Sequence, residues 1–180
     1  MTFEIIVAMD LENGIGKGGE LPWHIKADLK HFKEVTTQTS SMAKKNVVIM
    51  GRKTWESLPE EYKPLPGRFN IVLTKQKELK FPEYVFVSND LDQALKWAQK
   101  KQEFGFVENI FVIGGGEVFN EALCHPSCRK IHATHVLHSF ACDTFFPPFM
   151  DKFERESSSP TVQEGSLPFY FAKYHHKPQI

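Results

Sequence analysis

Short apolar runs alternate with amphipathic stretches along almost the whole chain. Residues 3–9 hold Ile5-Ile6-Val7-Ala8, an uninterrupted apolar run of strand length. Residues 25–36 change period, with Ile25, Leu29, Phe32 and Thr36 on one helical face. Strands are predicted at 46–50, 69–74, 84–88, 109–113 and 130–137, and helices at 53–58, 90–101 and 117–123. Two closing strands, 153–157 and 168–174, are joined by a stretch rich in Ser, Pro and Gly with no helix, so they should run antiparallel. Continuous apolar strands alternating with helices predict a single α/β domain over 1–180, its sheet mostly parallel and covered by helices on both faces. The run Ser157-Ser158-Ser159-Pro160 reads as a mobile loop.

Composition narrows the function classes. The chain has 180 residues, and its 22 Lys+Arg balance 22 Asp+Glu, which gives no electrostatic case for nucleic acid. No apolar run approaches the roughly 20 residues a membrane helix needs. Residues 1–8 carry Glu4 and no basic leader, and read as a strand and not as a signal peptide. Three cysteines cannot all pair with one another, which suits free thiols and a cytoplasmic setting.

The segment 21–32 carries the most chemistry. Asp28 sits at the edge of the apolar helical face, one turn before Phe32 and away from Lys26, Lys30 and Lys33. A carboxylate there needs donors. It either caps backbone or pairs with a lysine, or it anchors a planar N–C–N edge with its two parallel acceptors, walled by Trp23 and Phe32. Spacing alone does not choose.

Gly14-Ile15-Gly16-Lys17-Gly18-Gly19 matches G-x-G-x-x-G, but Glu20-Leu21-Pro22-Trp23 delays the helix and no acidic strand end follows at the right distance. The segment reads instead as a loop able to move over a site. Ile113-Gly114-Gly115-Gly116-Glu117 differs, because a buried strand runs through glycines directly into a helix. Backbone N–H groups can there meet a phosphate. Gly51-Arg52-Lys53-Thr54 and Thr74-Lys75 place basic and hydroxyl groups at two further strand ends. Singly each basic site reads as a solvated surface charge; together the three sites suggest a ligand with several phosphates, and the charge at Arg52 and Lys75 suggests a 2′-phosphate. Arg68, just before a strand, is either a surface charge or a carboxylate fork. Cys124, Cys128, His132, His135 and His138 lack a zinc pattern, and His132 and His135 should point to opposite faces of a strand, so no metal site is expected.

Taken in order, Gly14-Ile-Gly-Lys-x-Gly-x-Leu-Pro-Trp23, Asp28-Leu-x-x-Phe32, Gly51-Arg-Lys-Thr-Trp-Glu-Ser57, Leu65-Pro-Gly-Arg68-x-Asn70, Ile113-Gly-Gly-Gly116, Thr134 and Asp143-Thr144-Phe145-Phe146-Pro147 closely resemble the dihydrofolate reductase family. The similarity runs nearly end to end. Some members carry Glu where this chain has Asp28, and the chain has extra length around 81–106 and in the tail.

The resemblance implies an eight-stranded, mostly parallel sheet with a C-terminal antiparallel strand. It implies reduction of dihydrofolate by NADPH, with hydride passing to C6 of the pterin and a proton, delivered by water, to N5. Asp28 would hold the 2-amino group and N3 and Thr134 would support it, with Leu21 and Trp23 completing the catalytic set. Ile6, Val7, Ala8, Leu29, Phe32 and Ile113 would line the pterin pocket, Leu58 and Leu65 the aminobenzoyl region, and Arg68 would pair with the glutamate α-carboxylate. For the cofactor, Ala8, Ile15, Gly16, Lys17, Gly18, Gly19, Glu20, Leu21 and Ile113 would meet the nicotinamide side. Gly51, Arg52, Lys53, Thr54, Leu73, Thr74, Lys75 and Ser88 would meet the phosphates and adenosine. Gly115, Gly116, Glu117, Val118 and Phe119 would form the pyrophosphate turn, with a cis peptide at Gly114–Gly115. The expected partners are dihydrofolate and antifolate-type small molecules, with the chain a monomer and no room in 180 residues for a thymidylate synthase domain. Two rivals remain: a pyrimidine reductase of riboflavin synthesis, which would lack the pair Asp28 and Arg68, and a non-catalytic pterin- or nucleotide-binding protein.

Overall fold

The computed structural model describes residues 1–178. The elements run β1 (Phe3–Met9), β2 (Gly14–Gly16), α1 (Lys26–Thr37), β3 (Lys45–Gly51), α2 (Arg52–Ser57), β4 (Arg68–Leu73), β5 (Val85–Ser88), α3 (Leu91–Glu103), β6 (Val107–Gly114), α4 (Gly116–Cys124), β7 (Cys128–Val136), β8 (Thr144–Phe145), β9 (Phe153–Ser158), β10 (Val162–Glu164) and β11 (Leu167–His176). The main sheet has the order β10-β11-β7-β1-β6-β3-β4-β5, with β9 also paired to β11. From β7 to β5 every pairing is parallel, and β11 joins β7 antiparallel.

Eight strands were expected in the sheet, and nine form the main sheet among the described residues. The extra one arises because the penultimate strand is interrupted. β10 pairs with the start of β11 and β9 with its end, and Pro160, which has no N–H for a ladder, lies in the gap. The serines expected to be a mobile loop are tied to the sheet instead. Ser157 and Ser158 belong to β9, and Ser159 N donates to Phe171 O at 2.7 Å.

Strand alternation divides the core into two layers. Phe3, Ile5, Val7 and Met9 pack with Leu91, Ala94 and Leu95 of α3 and Phe119 and Ala122 of α4. Ile6, Val48, Met50 and Phe111 face the other way, toward Trp55 of α2 and Phe32 and Val35 of α1. The helices preceding strands return the chain, so the C-terminal ends of β1, β3, β4 and β6 lie along one edge of the sheet. The glycine-rich segment 14–19 is less free than expected, because β2 pairs with β8 and the pairing is continued by Gly18 N donating to Asp143 Oδ2 at 2.8 Å. Neither short strand shows in the hydrophobic pattern, since each lacks an alternating apolar run.

Candidate functional site

Asp28 lies in the first turn of α1, half-buried, and its carboxylate's only hydrogen bond among the described residues is from Thr134 Oγ1 of β7 at 2.6 Å. Burial pushes its carboxyl above the ordinary 3.8, opposed by the threonine bond. Close by, the Trp23 indole is buried and its Nε1 has no hydrogen-bond partner. A buried donor left unpaired costs about 1–3 kcal/mol, so Trp23 Nε1 favours a polar partner.

Two turns farther along α1, Thr36 accepts from Arg68 Nη1 at 2.9 Å through its hydroxyl. Arg68 is only 8% exposed, its Nε donates to Pro66 O, and it lies over the Phe32 ring at 5.9 Å. Its partners are all neutral, no ion pair among the described residues includes it, and burial lowers its pKa. Asn70 sets its position by closing the loop before β4, accepting from Leu65 N at 2.9 Å and donating to Leu65 O and Arg68 O. Between Asp28 and Arg68 runs an apolar strip of half-buried Phe32, Leu58 and Ile113 with buried Ile6 and Leu65, flanked by exposed Leu29. At 1.5 Å per residue, α1 separates Asp28 from Thr36 by about 12 Å.

Beside this strip, β6 enters α4 through a cis Gly114–Gly115 peptide. Gly115 is the N-cap of α4 and supplies no side-chain bond, so the first-turn N–H groups are free for an anion. Side chains are excluded from this cradle. A Cβ on Gly116 would lie 2.8 Å from Thr144 Cγ2, and one on Gly115 3.3 Å from Thr54 Oγ1. Gly51 ends the neighbouring strand β3, and its Cβ position is 3.2 Å from Val118 Cγ2. Lys53 and Lys75 are exposed, and Thr74 and Ser88 are buried and joined through Thr74 N to Ser88 O at 2.9 Å. The residues fit a phosphate-bearing nucleotide.

Not every expected side chain reaches the site. Val7 packs into the opposite layer, so only its backbone is offered here. Phe119 lies beneath Gly114 and against Phe146 at 5.2 Å, as core. Arg52 is already bound to Glu56 at 2.7 and 2.8 Å. Ile15 through Leu21 form the loop that follows β1, with Lys17, Gly18, Gly19 and Glu20 exposed, and Leu73 is half-buried at the end of β4. Glu117 is exposed and Ala8 half-buried on the Ile6 side of β1. His132 and His135 do face opposite layers, one against Glu4 and the other against Tyr174.

Asp10 was missed. It is 3% exposed and its carboxylate accepts from Glu12 N, Gly14 N, Phe140 N and the Cys142 thiol. Burial raises its pKa, but these bonds outweigh it and bring the group below 3.8. An acid at the end of an apolar strand was the available signal. Two hollows of ≈ 170 and ≈ 370 Å³ lie elsewhere, the first by Asn120 and Phe149, the second by Glu4 and Lys173.

The described family of dihydrofolate reductases matches residues 2–176 of this chain. The chain belongs to the dihydrofolate reductase family. It is 43% identical over 166 residues to the dihydrofolate reductase of Drosophila melanogaster, covering 92% of this chain and 90% of that protein. It is 44% identical over 177 residues to the bifunctional dihydrofolate reductase-thymidylate synthase of Glycine max, covering 96% of this chain but 33% of that one. The chain thus spans about a third of the bifunctional plant relatives. The solved Schistosoma mansoni dihydrofolate reductase superposes with a TM-score of 0.85 at 38% identity, covering 98% of this chain and 99% of that one. Membership of the dihydrofolate reductase family implies a nicotinamide cofactor.

Proposed function

We propose that this chain reduces 7,8-dihydrofolate to 5,6,7,8-tetrahydrofolate with NADPH, acting as one reductase unit in one-carbon metabolism. The observation that carries the reading is the pair of unneutralised groups at the two ends of one apolar strip. Asp28 offers parallel acceptors at one end and Arg68 a buried guanidinium at the other. A molecule with a donor-rich planar head, an aromatic middle and a carboxylate tail answers both. Neither a pyrimidine reductase nor a general nucleotide binder needs that pair.

Asp28 binds and orients the pterin through its 2-amino group and N3, and Thr134 holds the carboxylate in plane. The Asp28 charge, kept in a poorly solvated place, raises the basicity of N5 so that water can protonate it. Trp23, Leu21 and the loop before them exclude bulk water. Arg68 takes the glutamate α-carboxylate. The nicotinamide, when bound, supplies the hydride that goes to C6. Gly115, Gly116 and the α4 N-terminus hold the diphosphate, with Lys53 and Thr54 beside it. Thr74, Lys75 and Ser88 take the 2′-phosphate side, with Arg52 held back by its pairing to Glu56. The three cysteines are free, which suits a reducing compartment such as the cytosol.

The decisive experiment follows NADPH absorbance with purified protein. Oxidation should begin only on adding dihydrofolate. Binding of both ligands without oxidation would favour the non-catalytic reading, and oxidation of NADPH with a pyrimidine substrate alone would favour the other reductase.

A further inference from the structure

The N-terminus of α1 lacks a cap of its own. Its N-cap, Ile25, has no side-chain oxygen, while the N–H groups of Asp28 and Leu29 both turn back to Ile25 O at 3.1 and 3.2 Å. The remaining free donors, Lys26 N and Ala27 N, go to a carboxylate more than a hundred residues away. Lys26 N donates to Glu164 Oε2 at 2.6 Å and Ala27 N to Glu164 Oε1 at 3.0 Å. Glu164 ends β10, where Gly165 turns the hairpin with φ +61° into β11. The same hairpin lays Leu167 and Phe169 against Trp23, Ile25 and Ala27.

Asp28 occupies the third helical position after that N-cap. In a capping box an acid there reaches back to the N-cap N–H, and open first-turn donors add the positive field that draws it toward the helix end. We propose that Glu164 is a positioning residue for the reductase reaction: by saturating the first-turn donors of α1 from outside, it leaves Asp28 turned toward Thr134 and the substrate strip and not toward its own helix end. The inference rests on the reading of Asp28 as the pterin anchor. The division of labour fits the two environments. Glu164 meets backbone donors that stabilise its charge, whereas Asp28 has a single hydroxyl donor. Without Glu164, the helix N-terminus competes with the pterin for Asp28.

The test compares Glu164→Ala, Glu164→Gln, Asp28→Asn and the double variant Glu164→Ala/Asp28→Asn. Dihydrofolate and NADPH dissociation constants are measured by fluorescence titration, alongside turnover and melting temperature. Glu164→Ala should weaken dihydrofolate binding about five- to tenfold, the scale of a helix cap, and leave NADPH binding within twofold. Glu164→Gln keeps one acceptor oxygen and should recover part of the loss. In the Asp28→Asn background, Glu164→Ala should change dihydrofolate binding by less than twofold, because an amide has no charge for the helix end to draw away. Equal weakening of both ligands, or the same loss from Glu164→Ala with and without Asp28, would overturn the positioning role and leave a structural cap. Wild-type turnover in folded Asp28→Asn would reject the anchor itself, whatever Glu164 does.

Discussion

Asp28 and Asp10 show how the same side chain takes opposite properties from its surroundings. Asp28 is desolvated with one hydroxyl donor, so its pKa rises from 3.8. Its contribution to stability is therefore fully present below that value and is lost as pH rises through the folded pKa. Asp28→Asn should melt no lower than wild type at pH 7, with its relative advantage shrinking toward pH 4, while turnover falls about 100-fold. Thermal melts across pH together with steady-state rates check both halves, and a variant less stable at pH 7 than at pH 4 relative to wild type would contradict the sign. Asp10 is held below 3.8 by three backbone N–H bonds and a thiol. Its contribution is present above 3.8 and disappears as pH falls through the lowered folded value. Asp10→Asn should cost about 1–3 kcal/mol at neutral pH, with the gap to wild type closing in acid. Arg68→Leu removes a buried cation with neutral partners, so dihydrofolate binding should weaken by about 2 kcal/mol, some 30-fold. NADPH affinity should not move, and parallel losses in titrations of both would remove Arg68 from the substrate.

At the scale of elements, the site is made where strand ends meet helix starts. Gly116 matters because α4 begins against β8. The Cβ of Gly116→Ala would fall 2.8 Å from Thr144 Cγ2, so the β2–β8 pair or the helix start must shift. The expected outcome is a rise in the NADPH KM on the order of tenfold, with a smaller change in the dihydrofolate KM. On α2, Arg52 spends its charge on Glu56. Glu56→Gln should release it and tighten NADPH about twofold without changing NADH, a difference of the size exposed ion pairs allow. Helix and strand periods were legible at this scale, and most ends agree within two residues. The β2–β8 pair and β10 were not, because three or fewer residues carry no period and their partners lie far along the chain.

For the whole molecule, two ligands binding one folded sheet edge should stabilise it through linkage. At 100 times its dissociation constant, a ligand adds about 2.7 kcal/mol, which for this length raises the melting temperature by roughly 5–10 °C. A 2,4-diaminopterin antifolate should produce that shift in wild type and much less in Asp28→Asn, as scanning fluorimetry would show. Sedimentation of the free chain tests the expectation of a monomer. No helix among the described residues is long and apolar enough to cross a membrane.

Local pattern determined the alternation of strands and helices, the parallel character of the sheet and the glycines that must precede α4, because each depends on periods and conformational freedom carried by neighbouring residues. Chemistry-bearing residues such as Asp28, Arg68 and Thr134 could be named in line, but not whether they meet. Folding decided that. It set Thr134 on Asp28, Thr36 on Arg68, Glu56 on Arg52 and Glu164 on the start of α1. Except for the Glu56 pair, these contacts join residues far apart in the chain, so no local spacing encodes them. They arise only once strand order brings distant segments side by side.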